Sequence, residues 1–146
     1  MRYGSSSTTG GQRLFRYQGN GSPSLLTSAV LNAYLAEHMG EEFTAKDFRT
    51  WGGTLTAAIA LAEQEPPAPE TEARRVLASV MRRVARELGN TPAVARASYV
   101  SPVVVERWRE GLTLRLRDRA RHRLGVPVGL VPEERALLRL LKLEAR

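Results

Sequence analysis

Two short stretches of the chain hold the residue types that phosphate chemistry needs. In Leu88–Pro102, "LGNTPAVARASYVSP", Tyr99 follows Asn90 with Arg96 between them. In Phe43–Gly53, "FTAKDFRTWGG", Lys46 and Arg49 stand three apart and so share a helix face. A phenol is a poor nucleophile as it stands, because its free pKa of about 10 leaves only about a thousandth ionised at neutral pH. Attack on a phosphodiester also builds negative charge on the non-bridging oxygens. Preorganised cations and hydrogen-bond donors around the phosphate answer both obstacles. The candidates are Arg49, Lys46, Arg96, the Asn90 amide and the N–H groups of a helix beginning at Thr91-Pro92. Residue types alone leave a plainer account open for each. Tyr99 suits a packing position at a helix end, Arg49 a surface site, and Asn90 a helix terminus after Gly89.

These residues must be held by helices. "ETEARRVLASVMRRVARELG" is the clearest, with Val76, Leu77, Val80, Met81, Val84 and Leu88 on one stripe, arginines elsewhere and Gly89 to close it. Thr91 as cap and Pro92 at the first helical position start a short helix that leads to Tyr99. Ser101-Pro102 repeats the device ahead of "VVVERWREG". Upstream, "FTAKDFRTWGGTLTAAIALAEQEPP" opens on Thr44-x-x-Asp47, close to a capping box, and ends before Pro66-Pro67. Gly52-Gly53 inside it costs roughly 1 kcal/mol per glycine relative to alanine, which points to a kink or to close approach of another backbone. "TSAVLNAYLAEHMG" reads as a helix with Val30, Leu31, Tyr34 and Leu35 on one stripe, capped by Thr27 or Ser28 and stopped by Gly40. "RLFRYQGNGSP" reads as an extended piece with a turn at Gly19–Gly21, and "PEERALLRLLKLEAR" as a last amphipathic helix packing Leu137, Leu138, Leu140 and Leu141. Trp51 and Trp108 are expected to anchor the core. The fold class is mainly α: a compact helical bundle over 13–146, after a disordered Gly/Ser/Thr-rich leader at 1–12.

Composition narrows the function classes. The 146 residues contain no cysteine, so neither a disulfide framework nor a thiolate metal site is available. Two histidines, His38 and His122, are too few and too far apart to suggest a metal site. No apolar run approaches a membrane span of about 18–20 residues, and "MRYGSSSTTGG" lacks the apolar core of a signal peptide. A cytoplasmic, nucleoid-associated location without membrane contact is the expectation. The formal net charge is +7, and all but two of the 22 basic residues are arginine. The asymmetry is sharper still, since residues 74–146 carry seventeen bases against seven acids. Such a field attracts polyanions, and arginine forks onto phosphate. Solvated helix faces account for the charge equally well, above all in "LRLRDRARHR", which includes His122.

"FTAKDFRTWGGT" (Phe43–Thr54) and "LGNTPAVARASYVSP" resemble the two signature segments of the bacterial and poxvirus-type type IB DNA topoisomerases, relatives of the tyrosine recombinases. Their order and separation agree, and the resemblance covers roughly residues 11–111. It implies the helical catalytic domain of those enzymes and double-stranded DNA as partner. It also implies transient cleavage of one strand through a 3′-phosphotyrosyl intermediate, then rotation and religation that relax supercoils, without ATP or an obligatory metal cofactor. Tyr99 would be the nucleophile, Arg49 would clamp the scissile phosphate, and Asn90 would donate to a non-bridging oxygen. Lys46, Thr91 and Arg96 would contact DNA. An asparagine amide is a neutral donor, which suits electrostatic stabilisation better than proton transfer.

The sequence departs from the family in one respect. Five catalytic residues are usual there, and a first arginine and a β-hairpin lysine that serves as general acid lie upstream of everything matched. Lys46 belongs to the KDFR motif and Lys142 to the terminal helix, so neither stands in the hairpin position. The expectation is therefore the C-terminal part of a catalytic domain, truncated at its N-terminus and weak or inactive alone. The missing N-terminal half of the enzyme would be a further partner. The alternative is a DNA-binding remnant without catalysis.

Overall fold

The computed structural model describes residues 16–18, 23–65, 69–114 and 130–142. Along the chain run β1 (Arg16–Gln18), β2 (Pro23–Leu25), α1 (Ser28–Met39), α2 (Ala45–Ala62), α3 (Glu70–Leu88), α4 (Pro92–Ser98), α5 (Pro102–Arg109) and α6 (Pro132–Lys142). The described residues are thus mainly α-helical, as expected. They group into two compact units, Met1–Ala45 and Lys46–Arg146. The leader at 1–12, the turn at Gly19–Gly21, and the basic run beyond Leu114 with His122 lie outside the described residues.

In the first unit, β1 pairs antiparallel with β2 in the register Arg16↔Leu25, Tyr17↔Ser24, Gln18↔Pro23. The extended piece was legible in the sequence; its partner strand was not, because a three-residue pairing carries too little pattern. Thr27, rather than Ser28, caps α1: its hydroxyl accepts the Val30 N–H at 3.3 Å. Gly40 ends the helix at φ 113°, in the region that favours glycine. The expected apolar stripe is only partly realised. Val30, Leu31 and Leu35 are half-buried, but Tyr34 is 50% exposed and stacks on His38, with ring centroids 4.1 Å apart. The Asn32 side chain accepts the Ala45 N–H at 3.0 Å, linking α1 to the first residue of α2.

The second unit owes its core to the stripes on α2 and α3. Ala57, Ala58, Ala60 and Leu61 from α2 join Ala73, Leu77, Val80, Met81, Val84 and Ala85 from α3 in one buried cluster. Alanine gives α2 a buried face of mostly small side chains, whereas α3 contributes larger ones to the same cluster. Val76 and Leu88, expected in the stripe, are half-buried; Ala73 and Ala85 take part instead, which shifts the buried face slightly. Ala95 of α4 and Val104 and Trp108 of α5 close the cluster, with Leu137 and Leu140 of α6. Helix α3 packs on α4, and α5 on α6. Trp108 is 1% exposed, and Trp51 packs half-buried against the core, so both act as anchors.

Candidate active site

The geometry begins with how α3 ends. Gly89 adopts a left-handed conformation at φ 64°, and its N–H reaches the Arg86 carbonyl at 3.4 Å. The Asn90 N–H reaches back to the Ala85 carbonyl at 2.8 Å, and the two bonds together form a Schellman turn. This turn folds the Asn90 side chain over the helix end, where its Nδ2 donates to the Leu88 carbonyl at 3.4 Å. That carbonyl belongs to the last turn of α3, whose oxygens lack partners within the helix. Arg49, arriving from α2, donates to the same oxygen from Nη2 at 2.8 Å. A cation is well placed at this negative end of a helix.

Tyr99 meets Arg49 from the other side. Thr91 caps α4 by accepting the Val94 N–H at 3.3 Å, Pro92 occupies its first turn, and Tyr99 is the residue at its C-terminal cap. The Tyr99 N–H bonds to the Ala95 carbonyl at 3.0 Å. Its half-buried ring lies under the Arg49 guanidinium, whose central carbon is 4.9 Å from the ring centroid. Arg49, Asn90 and Tyr99 therefore converge on one helix-end carbonyl and one aromatic face.

The backbone of Tyr99 is seated on α2. The Thr54 hydroxyl, at a buried residue, donates to the Tyr99 carbonyl at 3.4 Å and accepts the Ser101 N–H at 3.1 Å. Beside it, a Cβ at Gly53 would come within 2.5 Å of the Tyr99 carbonyl oxygen, whereas one at Gly52 would meet nothing within 4 Å. Of the two readings of the glycine pair, close approach of a backbone is the one realised, and by Gly53 alone. One turn earlier, the Thr50 hydroxyl donates to the Lys46 carbonyl at 3.0 Å, with the Ser98 carbonyl a weaker acceptor at 3.5 Å. The glycine pair hinted at this seat in the sequence. Thr50, Thr54 and the Leu88 carbonyl left no signal there, because their contacts to other helices span 39 or more residues and use backbone atoms.

The remaining candidates are not gathered as tightly. Lys46 and Arg96 are exposed, and Thr91 is exposed with its oxygen engaged by the Val94 N–H. Trp51, two residues after Arg49, donates its indole N–H to Glu134 Oε1 at 2.9 Å, fixing the start of α6. This bond first, and the Val131 N–H second, hold the Glu134 carboxyl below its ordinary pKa against a smaller opposing effect of burial. Among the described residues no three His, Asp or Glu side chains group as metal ligands, and no helix is long and apolar enough to cross a membrane.

Residues 5–115 match the family model described as the eukaryotic DNA topoisomerase I catalytic core. A protein named DNA topoisomerase 1B, from Acanthamoeba polyphaga mimivirus, is 35% identical over 104 residues, covering 66% of this chain and 31% of that protein. The chain thus spans under a third of the length of that relative.

Proposed function

This chain belongs to the family of the topoisomerase I catalytic core, and on that footing we propose that it carries the tyrosine-bearing part of a type IB active site. The observation that supports this reading best is the convergence of Arg49 and Asn90 on the Leu88 carbonyl, with Tyr99 under the Arg49 guanidinium. A guanidinium and an amide each carry further N–H groups besides those that reach the Leu88 carbonyl, and in this reading those would serve the non-bridging oxygens of a phosphodiester.

In the proposed reaction the Tyr99 phenolic oxygen attacks a backbone phosphorus of duplex DNA and gives up its proton to solvent. The bond to phosphorus forms as the bond from phosphorus to the 5′-oxygen breaks. The leaving oxygen takes a proton and becomes a free 5′-hydroxyl, and the tyrosine holds the 3′-phosphate. Rotation of the free strand and the reverse attack relax supercoils, with no net consumption of reactants. Arg49 offsets the charge that develops on phosphorus oxygens, and the Asn90 amide adds a neutral donor. Lys46, Thr91 and Arg96 hold flanking phosphates, which positions the duplex without reading its sequence.

The resemblance also implies a further arginine and a lysine that protonates the leaving oxygen, and neither has a counterpart in the matched segments. One lost donor lowers rate by about 10²–10³, and an absent general acid by a further 10²–10⁴ or so. A polypeptide of these 146 residues is therefore expected to relax plasmid weakly or not at all, and to be completed by a second polypeptide supplying those two groups.

The test uses a duplex whose scissile 5′-bridging oxygen is replaced by sulfur, because a thiolate leaves without needing a proton. The expected result is a covalent protein–DNA adduct that Tyr99→Phe abolishes. Salt-sensitive duplex binding with no adduct would instead favour the DNA-binding remnant and overturn the catalytic reading.

A further inference from the structure

Thr54 is the buried polar side chain of α2, 3% exposed, and it lies on the same helix as Arg49. A hydroxyl in such a place requires partners. Thr54 has two, and they belong to the chain on either side of Val100: the Tyr99 carbonyl and the Ser101 N–H. Gly53, its neighbour, leaves open the space into which the Tyr99 carbonyl oxygen fits. The two residues act on the same backbone in complementary ways, one by gripping it and the other by making room.

We propose that Gly53 and Thr54 form a positioning seat, in which the Thr54 hydroxyl bridges Tyr99 and Ser101 and so holds the phenol beneath the Arg49 guanidinium. Both hydrogen bonds of Thr54 run to backbone atoms, so it acts on the phenol through the backbone. Because Arg49 and the seat share one helix, the cation and the nucleophile are referred to a single rigid element, which keeps their relative placement fixed while other parts of the molecule move. Its catalytic meaning rests on the proposed role of Tyr99 as nucleophile, whereas the placement itself is measurable without any reaction. A misplacement of about 1 Å at a reacting group lowers rate by about 10²-fold, so the expected effect of losing the grip is of that order.

The experiment uses the whole 146-residue chain with 13C-labelled tyrosine, which gives signals from Tyr3, Tyr17, Tyr34 and Tyr99. Tyr99→Phe identifies the Tyr99 ring resonances, and Arg49→Ala shows where they move when the guanidinium is gone. Thr54→Val keeps the shape and removes both bonds, and is expected to shift the Tyr99 resonances away from their wild-type positions. Thr54→Ser, which keeps the hydroxyl, is expected to restore them. On the sulfur-substituted duplex, Thr54→Val should lower the adduct rate by about 10²-fold with duplex affinity unchanged, again rescued by serine. Should Thr54→Val not fold, Gly53→Ala carries the same test, since its added methyl pushes on the Tyr99 carbonyl while the hydroxyl remains. Tyr99 resonances that stay at wild-type positions in the folded variant would overturn the proposal. An absence of adduct from the wild-type chain strikes at the proposed function instead, and leaves the spectroscopic arm to decide the seat.

Discussion

Between Arg49 and Thr54, helix α2 meets its neighbours through polar atoms, with only the Trp51 ring set against the core; between Ala57 and Leu61 it meets them through apolar side chains. The first stretch is half-open to solvent. There the Arg49 guanidinium holds the Leu88 carbonyl, the Trp51 indole holds Glu134, and the Thr54 hydroxyl holds the Tyr99 and Ser101 backbones. The second is closed, with Ala57 fully buried and Leu61 1% exposed, and it joins α3 in the core. Polar bonds have preferred directions and lengths, so they fix where groups point. Apolar burial is non-directional and scales with area, so it holds the helix without aiming anything. One element thereby separates what keeps the unit folded from what orients the candidate site.

Substitutions in the two stretches should divide accordingly. The largest expected effect is on chemistry: Arg49→Ala should lower adduct formation on the sulfur-substituted duplex by about 10²–10³-fold. Its effect on stability should stay below about 1 kcal/mol, because the carbonyl it leaves can turn to water. Leu61→Ala should do the reverse. Emptying a fully buried leucine site costs about 2–5 kcal/mol, read from the shift in a denaturant unfolding midpoint, with adduct rate per folded molecule retained. If Arg49→Ala proved as destabilising as Leu61→Ala, the division of α2 would fail.

The sequence announced the elements better than it announced the seat. Gly89, Thr91-Pro92 and Ser101-Pro102 are local signals with local causes, and the α3 terminus and the starts of α4 and α5 lie where they indicate. The convergence of Arg49 with Asn90 and Tyr99 joins residues dozens of positions apart, and no periodicity encodes it; the resemblance to a known family pointed there instead. Thr54 was illegible for a further reason. A threonine in a helix interior reads as neutral, and its value here comes entirely from a carbonyl and an amide 45 and 47 residues away. Tyr34 erred in the other direction: helical spacing put it on an apolar stripe, but it stands outside and stacks on His38, one turn along its own helix.

The Trp51–Glu134 bond sharpens the comparison most finely, since it is polar like its neighbours in the first stretch but serves packing of α6 rather than the candidate site. Glu134 sits in the first turn of α6, where its carboxylate also accepts the Val131 N–H at 3.0 Å. Its pKa is depressed by the Trp51 bond first and the Val131 bond second. A depressed carboxyl contributes stability that is fully present above the unfolded-state pKa, about 4.3 for glutamate, and is lost as pH falls through the folded value beneath it. Trp51→Phe keeps most of the ring and removes the donor, so it should destabilise by about 1 kcal/mol or less near neutral pH, given the partial exposure of the pair. The gap between wild type and Trp51→Phe should then narrow as pH drops below about 4.3, followed by urea unfolding across the acid range. A gap that held constant through that range would mean that the indole stabilises α6 by packing alone. Adduct formation at neutral pH should change least of all, because the indole bond fixes α6 while Arg49 and Thr54 keep their own partners.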